Sequence, residues 1–325
     1  MVARRHRVVQ GVKAIGLHEF GGPDVLRVLE LPEPRAGRGE VRIRVHAAAV
    51  NATDALLRIG GHAVRMPGVE PPFIPGMDAA GVIDDLGPDV APRLSAGQEV
   101  IAIVPFTGRH GGAYAEQVVV PAASVVAAPS GIPLTAASTV PMNALTARLA
   151  LDTLALPRGA HLAITGAAGA VGGYAVQLAR ADGLTVLADA APHDRDFVAG
   201  LGAHHVVERG PGVAARLRDL APEGVPGLID GSVQTSELLP ALADGGTLVE
   251  LRGWGGPAER GIRVRPIMTS DVWTDTGALD TLARQVEAGV LTPRVHAVLR
   301  PEQAAHAHRL LAAGGLRGRV VLDFS

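Results

Sequence analysis

Over residues 12–128 the apolar positions come in short runs cut by glycine and proline: VKAIGL, VRIRVHAAAV, AAGVIDDLG, EVIAIVPF and YAEQVVV. Runs of this length with turn residues between them predict an irregular antiparallel sheet or barrel. The pattern then changes. Over residues 135–156 apolar positions recur at helical spacing, punctuated by Pro133, Pro141 and Pro157. Beyond it HLAIT reads as a buried strand, residues 173–181 as a helix, TVLADA as a strand, DRDFVAGLG as a helix, and HHVVE, GLIDGS and GTLVELRG as further strands. Alternation of this kind predicts right-handed βαβ units and a parallel sheet covered on both faces, a doubly wound α/β domain. Helical patterns follow near residues 280–288 and 301–313, and RVVLDF closes the chain as a strand.

A chain of 325 residues exceeds what one core usually organises, so two domains are expected. Hydrophobic residues at 47% and charged ones at 19% supply ample core material. A net charge of -2 offers no broad attraction for phosphate backbones or anionic membranes, which disfavours nucleic acid as a partner. Cysteine is absent; disulfides, thiolate metal sites and cysteine nucleophiles go with it, and a cytoplasmic setting is the expectation. Arg4 and Arg5 are not followed by an apolar stretch, so the first residues read as a disordered leader rather than a secretory signal. Residues 160–179 are apolar, but His161, Thr165 and several glycines at turn spacing argue against a membrane helix.

The most informative segment runs from His161 through HLAITGAAGAVG to Gly172, a strand entering a glycine turn that opens a helix. Gly166 allows the sharp turn, Gly169 lets backbone N–H groups approach a pyrophosphate, and Gly172 lets helix and strand pack closely. Ala168, Ala170 and Val171 complete the anion-facing backbone at the positive end of the helix. The spacing is GxxGxxG, with Ala167 in the usual place of the middle glycine, and Asp189 ends the next strand as a candidate ribose acid.

With these residues in place, the chain resembles the quinone oxidoreductase branch of the medium-chain dehydrogenase/reductase superfamily, which also contains enoyl reductases. VKAIGLHEFGGPDVLRVLELPEP resembles that family's opening hairpin, HAAAVNATDALLRIG its first active-site segment, and PFIPGMDAAGVI its P-x-x-x-G-x-[DE]-x-x-G box. GGAYAEQVVVP resembles its cleft edge, ITGAAGAVGGYAVQLAR its cofactor turn, and RGRVVLDF its closing strand. The resemblance implies a GroES-like, mostly β catalytic domain over residues 1–128 and 266–325, and a Rossmann domain over residues 129–265. It further implies a nicotinamide cofactor, a small-molecule substrate and a homodimer.

Where zinc-dependent relatives place a catalytic cysteine and histidine, this chain has Asn51 and Met77, neither a plausible zinc ligand in that setting, and the cysteine-rich structural zinc loop is missing. His204, His205, His306 and His308 lack a completing ligand set and read as solvated or core histidines. Without a Lewis acid, reduction of a quinone or α,β-unsaturated carbonyl is easier than alcohol oxidation, since hydrogen-bond donors can hold an enolate. Asn51, matching the family's active-site asparagine, is the first candidate beside nicotinamide or substrate; its alternative is a turn residue before a helix near Thr53. His62 is a candidate proton donor or a solvent-facing loop residue, and Tyr114 faces the cleft or packs at a strand start. Thr146 resembles the family's threonine near nicotinamide, and Arg319 either reaches cofactor phosphates or is an edge-strand charge.

NADPH is the favoured cofactor by resemblance, with His193, Arg195 and Arg209 as positive groups for a 2′-phosphate. NADH stays open, because Asp189 would repel that phosphate and Ala191 stands where a serine donor is expected. The leading expectation is an NADPH-dependent quinone or enone reductase. An enoyl reductase acting on a carrier-bound or biosynthetic intermediate, and a nicotinamide-binding protein with a non-redox role, are the alternatives.

Overall fold

The computed structural model describes residues 11–108, 110–256 and 259–325; the expected leader at Arg4 and Arg5 lies outside them. Strand β1 (Gly11–Gly16) pairs antiparallel with β2 (Arg27–Pro32) as a separate hairpin. In β3 (Glu40–Ala49) Val41, Ile43, Val45 and Ala47 are all buried, the two-residue period of a strand with one face in a core. Ala48, Ala49 and Val50 are buried too, so both faces are covered at its end, and helix α1 (Ala52–Arg58) starts there. Strands β4 (Asp78–Leu86), β5 (Glu99–Ile103), β6 (Gln117–Pro121) and β7 (Val125–Ala127) follow, then the short helix α2 (Leu134–Ala137).

The predicted helix over residues 135–156 is divided, because Pro141 has no N–H to continue it and instead occupies the first turn of α3 (Pro141–Leu154). Then come β8 (His161–Thr165), α4 (Ala170–Ala181), β9 (Thr185–Ala190), α5 (Arg195–Gly200), β10 (His205–Glu208) and α6 (Val213–Leu220). β11 (Val225–Asp230), β12 (Leu242–Glu250), β13 (Arg263–Pro266) and α7 (Thr276–Glu287) follow them. The chain closes with β14 (Val295–Leu299), α8 (Ala304–Ala313) and β15 (Arg319–Asp323).

These elements form two compact units. In the first, the strand order is β14-β15-β3-β4-β5-β7. One edge of β3 is lined by β4, and its other edge is shared, β6 pairing with Glu40–Arg44 and β15 with Ala47–Ala49. In the second, six strands run parallel in the order β10-β9-β8-β11-β12-β13. Counted from β8 that order is 3-2-1-4-5-6, the doubly wound arrangement, and the switch point where ligands bind lies between β8 and β11.

The seams differ from those expected at residues 129 and 266. The first unit keeps the chain to Thr139, with Val295–Gly314 and Arg319–Ser325; the second is Val140–Arg294 with Gly315–Gly318. The physical reason is α7, whose apolar face of Leu279, Leu282, Ala283 and Val286 is buried within the second unit, where α7 packs on α3. No helix among the described residues is long and apolar enough to cross a membrane, and the 160–179 stretch is β8, a turn and the start of α4.

Candidate functional site

In the second unit, Gly166 turns the chain at φ +68°, and an added Cβ would lie 2.7 Å from the Gly231 backbone. At Gly172 a Cβ would lie 2.3 Å from the Gly166 carbonyl oxygen, so α4 rests directly on the turn. Gly169 precedes α4 with extended backbone, and a Cβ there meets only the Gly166 oxygen at 3.1 Å. The N–H groups of Ala170, Val171 and Gly172 find no acceptor among the described residues, which leaves the first turn of α4 as a set of open donors aligned with the helix dipole. Ala168 completes the loop before them.

Asp189 does not stand out toward a ribose. Its Oδ1 accepts from the Gly166 N–H at 2.7 Å and from the Ala167 N–H at 3.4 Å, and the residue is 3% exposed. Burial raises its pKa while those two N–H groups and the charge of Arg209 oppose the shift. The expected ribose acid is therefore a brace beneath the glycine turn, held there by the Gly166 and Ala167 N–H groups. His193, on the loop after β9, and Arg195, at the start of α5, are exposed, and Arg209 is exposed just past β10. Arg195 has no side-chain partner among the described residues.

Thr146, on α3, donates its hydroxyl proton to the Met142 carbonyl at 2.6 Å, so the Thr269 hydroxyl, also at 2.6 Å, donates to Thr146. Its oxygen is thus occupied by a residue that the sequence did not single out. At the switch point Asp230 is fully buried and accepts from Thr165 Oγ1 (3.0 Å), the Ser232 N–H (3.1 Å) and the Thr235 N–H (2.8 Å). The GLIDGS run held that signal: an acid at a strand end followed by glycine and serine.

In the first unit the segment that resembles the family's first active-site segment is built around Asp54. Its carboxylate accepts from the Asn51 N–H at 2.8 Å, the Gly76 N–H at 3.1 Å and the Tyr114 hydroxyl at 3.1 Å. This binds the start of α1 to the turn before β4. Asn51 is fully buried and donates its side-chain amide to Asp78 Oδ2 at 2.7 Å, so the helix-leading reading of this residue describes its surroundings. Tyr114 is also fully buried and does not face a cleft; the packed alternative is the one observed, because its hydroxyl reaches Asp54 and lies 3.3 Å from His308 Nε2. His308 arrives on α8, and Arg58 Nε donates to its Nδ1 at 3.2 Å. With Nδ1 accepting, the neutral ring carries its proton on Nε2 and donates it to the Tyr114 oxygen, which leaves the tyrosine proton for Asp54.

Burial pushes the Asp54 carboxyl up to about 7 against its three donors and the charge of Arg319, which opens β15 in this unit. The charge of Arg319 thus acts on Asp54. Burial and the neighbouring Arg58 push His308 down to about 4. His62 is 8% exposed, not solvent-facing: its Nε2 lies 2.9 Å from Thr53 Oγ1 and its ring 5.2 Å from Phe106. Burial and Arg65 lower its pKa, so the ring is neutral at pH 7. Among the described residues, no group of three or more His, Asp or Glu side chains is arranged to hold a metal.

The opposite shifts have a testable sign. A histidine depressed from 6.5 to about 4 contributes stability that is complete above pH 6.5 and lost as pH falls toward 4. Asp54, raised from 3.8 to about 7, contributes stability present below pH 3.8 and lost as pH rises through 7. Replacing His308 with glutamine removes the first effect alone. The melting temperature of wild type relative to His308→Gln should therefore fall between pH 7 and pH 4; a constant difference refutes the buried neutral histidine.

The fold and the glycine turn define a nicotinamide-dependent oxidoreductase of the medium-chain dehydrogenase/reductase superfamily, and the chain belongs to that family, in its quinone oxidoreductase and enoyl reductase branch. Residues 37–130 match the alcohol dehydrogenase GroES-like domain, and residues 201–322 match the zinc-binding dehydrogenase model. Among curated relatives, the chain is 30% identical to the chloroplastic quinone-oxidoreductase homolog of Spinacia oleracea, over 71% of both chains. It is 29% identical to the quinone oxidoreductase of Sus scrofa, over 96% of this chain and 97% of that one. Among solved structures it resembles an NAD-dependent alcohol dehydrogenase (TM-score 0.83, 29% identity, 96% and 100% coverage). A mycobacterial protein complexed with NADPH is similar too (TM-score 0.85, 26% identity, 96% and 99% coverage).

Proposed function

We propose that this protein is an NADPH-dependent reductase of quinones or α,β-unsaturated carbonyl compounds that works without zinc. The observation that carries the reading is the state of the cofactor unit. The first turn of α4 offers three open N–H donors, Arg195 and Arg209 stand exposed nearby along the chain ends of β9 and β10, and the acid that would repel a 2′-phosphate is turned under the glycine turn. These groups fit a dinucleotide phosphate: Ala170, Val171 and Gly172 would hold the pyrophosphate, and Arg195, Arg209 and His193 the 2′-phosphate. When bound, the nicotinamide supplies the hydride. On the catalytic unit, His62, whose Nε2 meets the Thr53 hydroxyl, is the proposed hydrogen-bond donor to the substrate oxygen through Nδ1. Asn51 shapes the same segment through its bonds to Asp54 and Asp78. Metal independence follows from the donor set, since Asn51 and Met77 offer zinc neither a thiolate nor an imidazole.

NADPH oxidation with a panel of quinones and enones tests the reading. Turnover with NADPH exceeding that with NADH, unchanged within about twofold by a chelator, is the expected result, and Arg195→Ala should lower the NADPH preference. Tight dinucleotide binding without turnover on any substrate supports a non-redox role instead, and activity lost to chelation and restored by zinc removes the metal-free part. A homodimer belongs to the same reading by family resemblance, and a cytoplasmic setting by the absence of cysteine; the mass of the particle in solution tests the first.

A further inference from the structure

The segment from Asp189 to Asp196 carries three aspartates against one arginine, a formal charge of -2 with His193 neutral. A loop of that charge would repel a phosphate. Asp189 is withdrawn by its bonds to the glycine turn. Asp194, in the middle of the loop between His193 and Arg195, is withdrawn by a different device. Its side chain is 10% exposed, and its Oδ1 accepts from Arg317 Nε. The same guanidinium donates from Nη2 to the His193 carbonyl at 2.8 Å. Arg317 sits in Gly315–Gly318, a four-residue piece of the chain that belongs to the cofactor unit although its flanks do not.

The pairing is held from behind by an aromatic ring. The Arg317 guanidinium lies 5.6 Å from the centroid of Phe197 on α5, and that of Arg294 lies 4.8 Å from the same ring. Arg294 in turn donates from Nη2 to the Gly169 carbonyl at 3.0 Å. The loop after β9 and the glycine turn are therefore tied through one ring and two guanidiniums.

We propose that Arg317 is a specificity-determining, positioning residue: by neutralising and holding the Asp194 carboxylate, which His193 Nε2 also approaches to 3.4 Å, it leaves Arg195 and Asp196 as the exposed charged side chains of the segment, a balanced pair instead of a net negative set, and so permits a dinucleotide with a 2′-phosphate. The inference rests on the dinucleotide reading above. Arg317 acts through Asp194, so its removal should be felt by the phosphorylated cofactor and far less by the unphosphorylated one.

Fluorescence titration of NADPH and NADH onto wild type, Arg317→Met, Asp194→Asn and the double variant separates the possibilities without needing a substrate. Arg317→Met should weaken NADPH about tenfold relative to NADH, the scale of one unscreened carboxylate beside a phosphate at a solvent-exposed site. Asp194→Asn in the same chain should restore the wild-type ratio, because the offending charge is gone. Asp194→Asn alone should keep NADPH favoured. If Arg317→Met weakens both dinucleotides equally, or the double variant does not recover, the residue is merely structural and the inference fails while the cofactor reading stands. Wild type that binds neither dinucleotide overturns both. Should Arg317→Met fail to fold, Arg317→Gln with and without Asp194→Asn gives the same comparison.

Discussion

Gly172→Ala is expected to unfold or strongly destabilise the cofactor unit, whereas Gly169→Val should lose dinucleotide binding and keep the fold. At Gly172 the new methyl would stand 2.3 Å from the Gly166 carbonyl oxygen and 2.8 Å from its carbon, both backbone atoms of a turn already fixed at positive φ. Neither helix nor turn can yield without losing the bonds that the turn donates to Asp189, so a cost of about 3 kcal/mol or more follows from overpacking against backbone. Gly169 is different. Its backbone is extended, a conformation open to any residue, and its nearest neighbour is 3.1 Å from an added Cβ. A valine there is tolerated by the chain but projects where a pyrophosphate must approach the open donors of α4, and a loss of affinity of about 10²-fold is expected. Thermal melts and dinucleotide titrations on the two variants check the contrast. Equal melting temperatures for Gly172→Ala and wild type, or unchanged affinity in Gly169→Val, contradict the assignment of this turn.

Asp54→Ala should be the most damaging change in the catalytic unit. It strips the acceptor from the Asn51 N–H, the Gly76 N–H and the Tyr114 hydroxyl together, all in a place where Asp54 itself is fully buried. Buried donors left unpaired cost about 1–3 kcal/mol each, and relief of the buried charge returns only part of that. A net loss of about 3 kcal/mol and a fall in turnover of about 10²-fold are expected. Tyr114→Phe serves as the graded comparison: it removes one donor to Asp54 and leaves the His308 Nε2 proton without its acceptor, for about 1 kcal/mol. Were Asp54→Ala to melt no lower than Tyr114→Phe, the carboxylate would not be the hub described here.

The parts of the fold legible in the sequence are those in which one strand or helix carries its own pattern. HLAIT and TVLADA are apolar throughout because a parallel strand covered on both faces must be, and β8 and β9 are found there. Strand β13 was not legible: Arg263 and Arg265 on a sheet edge break the apolar run that marks its neighbours. Helix α6 was missed as well, since its buried residues are only Val213, Ala214 and Leu217 among charged ones. The glycine turn was readable because its glycines have steric reasons that spacing expresses. What lay beyond reach was direction and distance. Whether Asp189 points to a ribose or under the turn depends on strand register, and His308 meets Arg58 from 250 positions away. No local pattern encodes that meeting, and the same is true of Arg317 and Asp194, 123 positions apart.

The position of β15 has a consequence for how the protein is made. Strand β15, translated after the whole cofactor unit, does not sit at the rim of its sheet but between β14 and β3, where it accepts a bond from the Val50 N–H at 2.9 Å, one residue before Asn51. During translation the amino-terminal strands emerge first yet must wait with an open ladder on β3 until the entire cofactor unit has passed through the ribosome. That unit, nearly continuous from Val140 to Arg294, has almost all of its own sheet partners and is free to fold in the meantime. A nascent chain halted before Arg319 would thus present a finished nucleotide fold beside an unpaired strand edge, the species most exposed to aggregation and most in need of a chaperone.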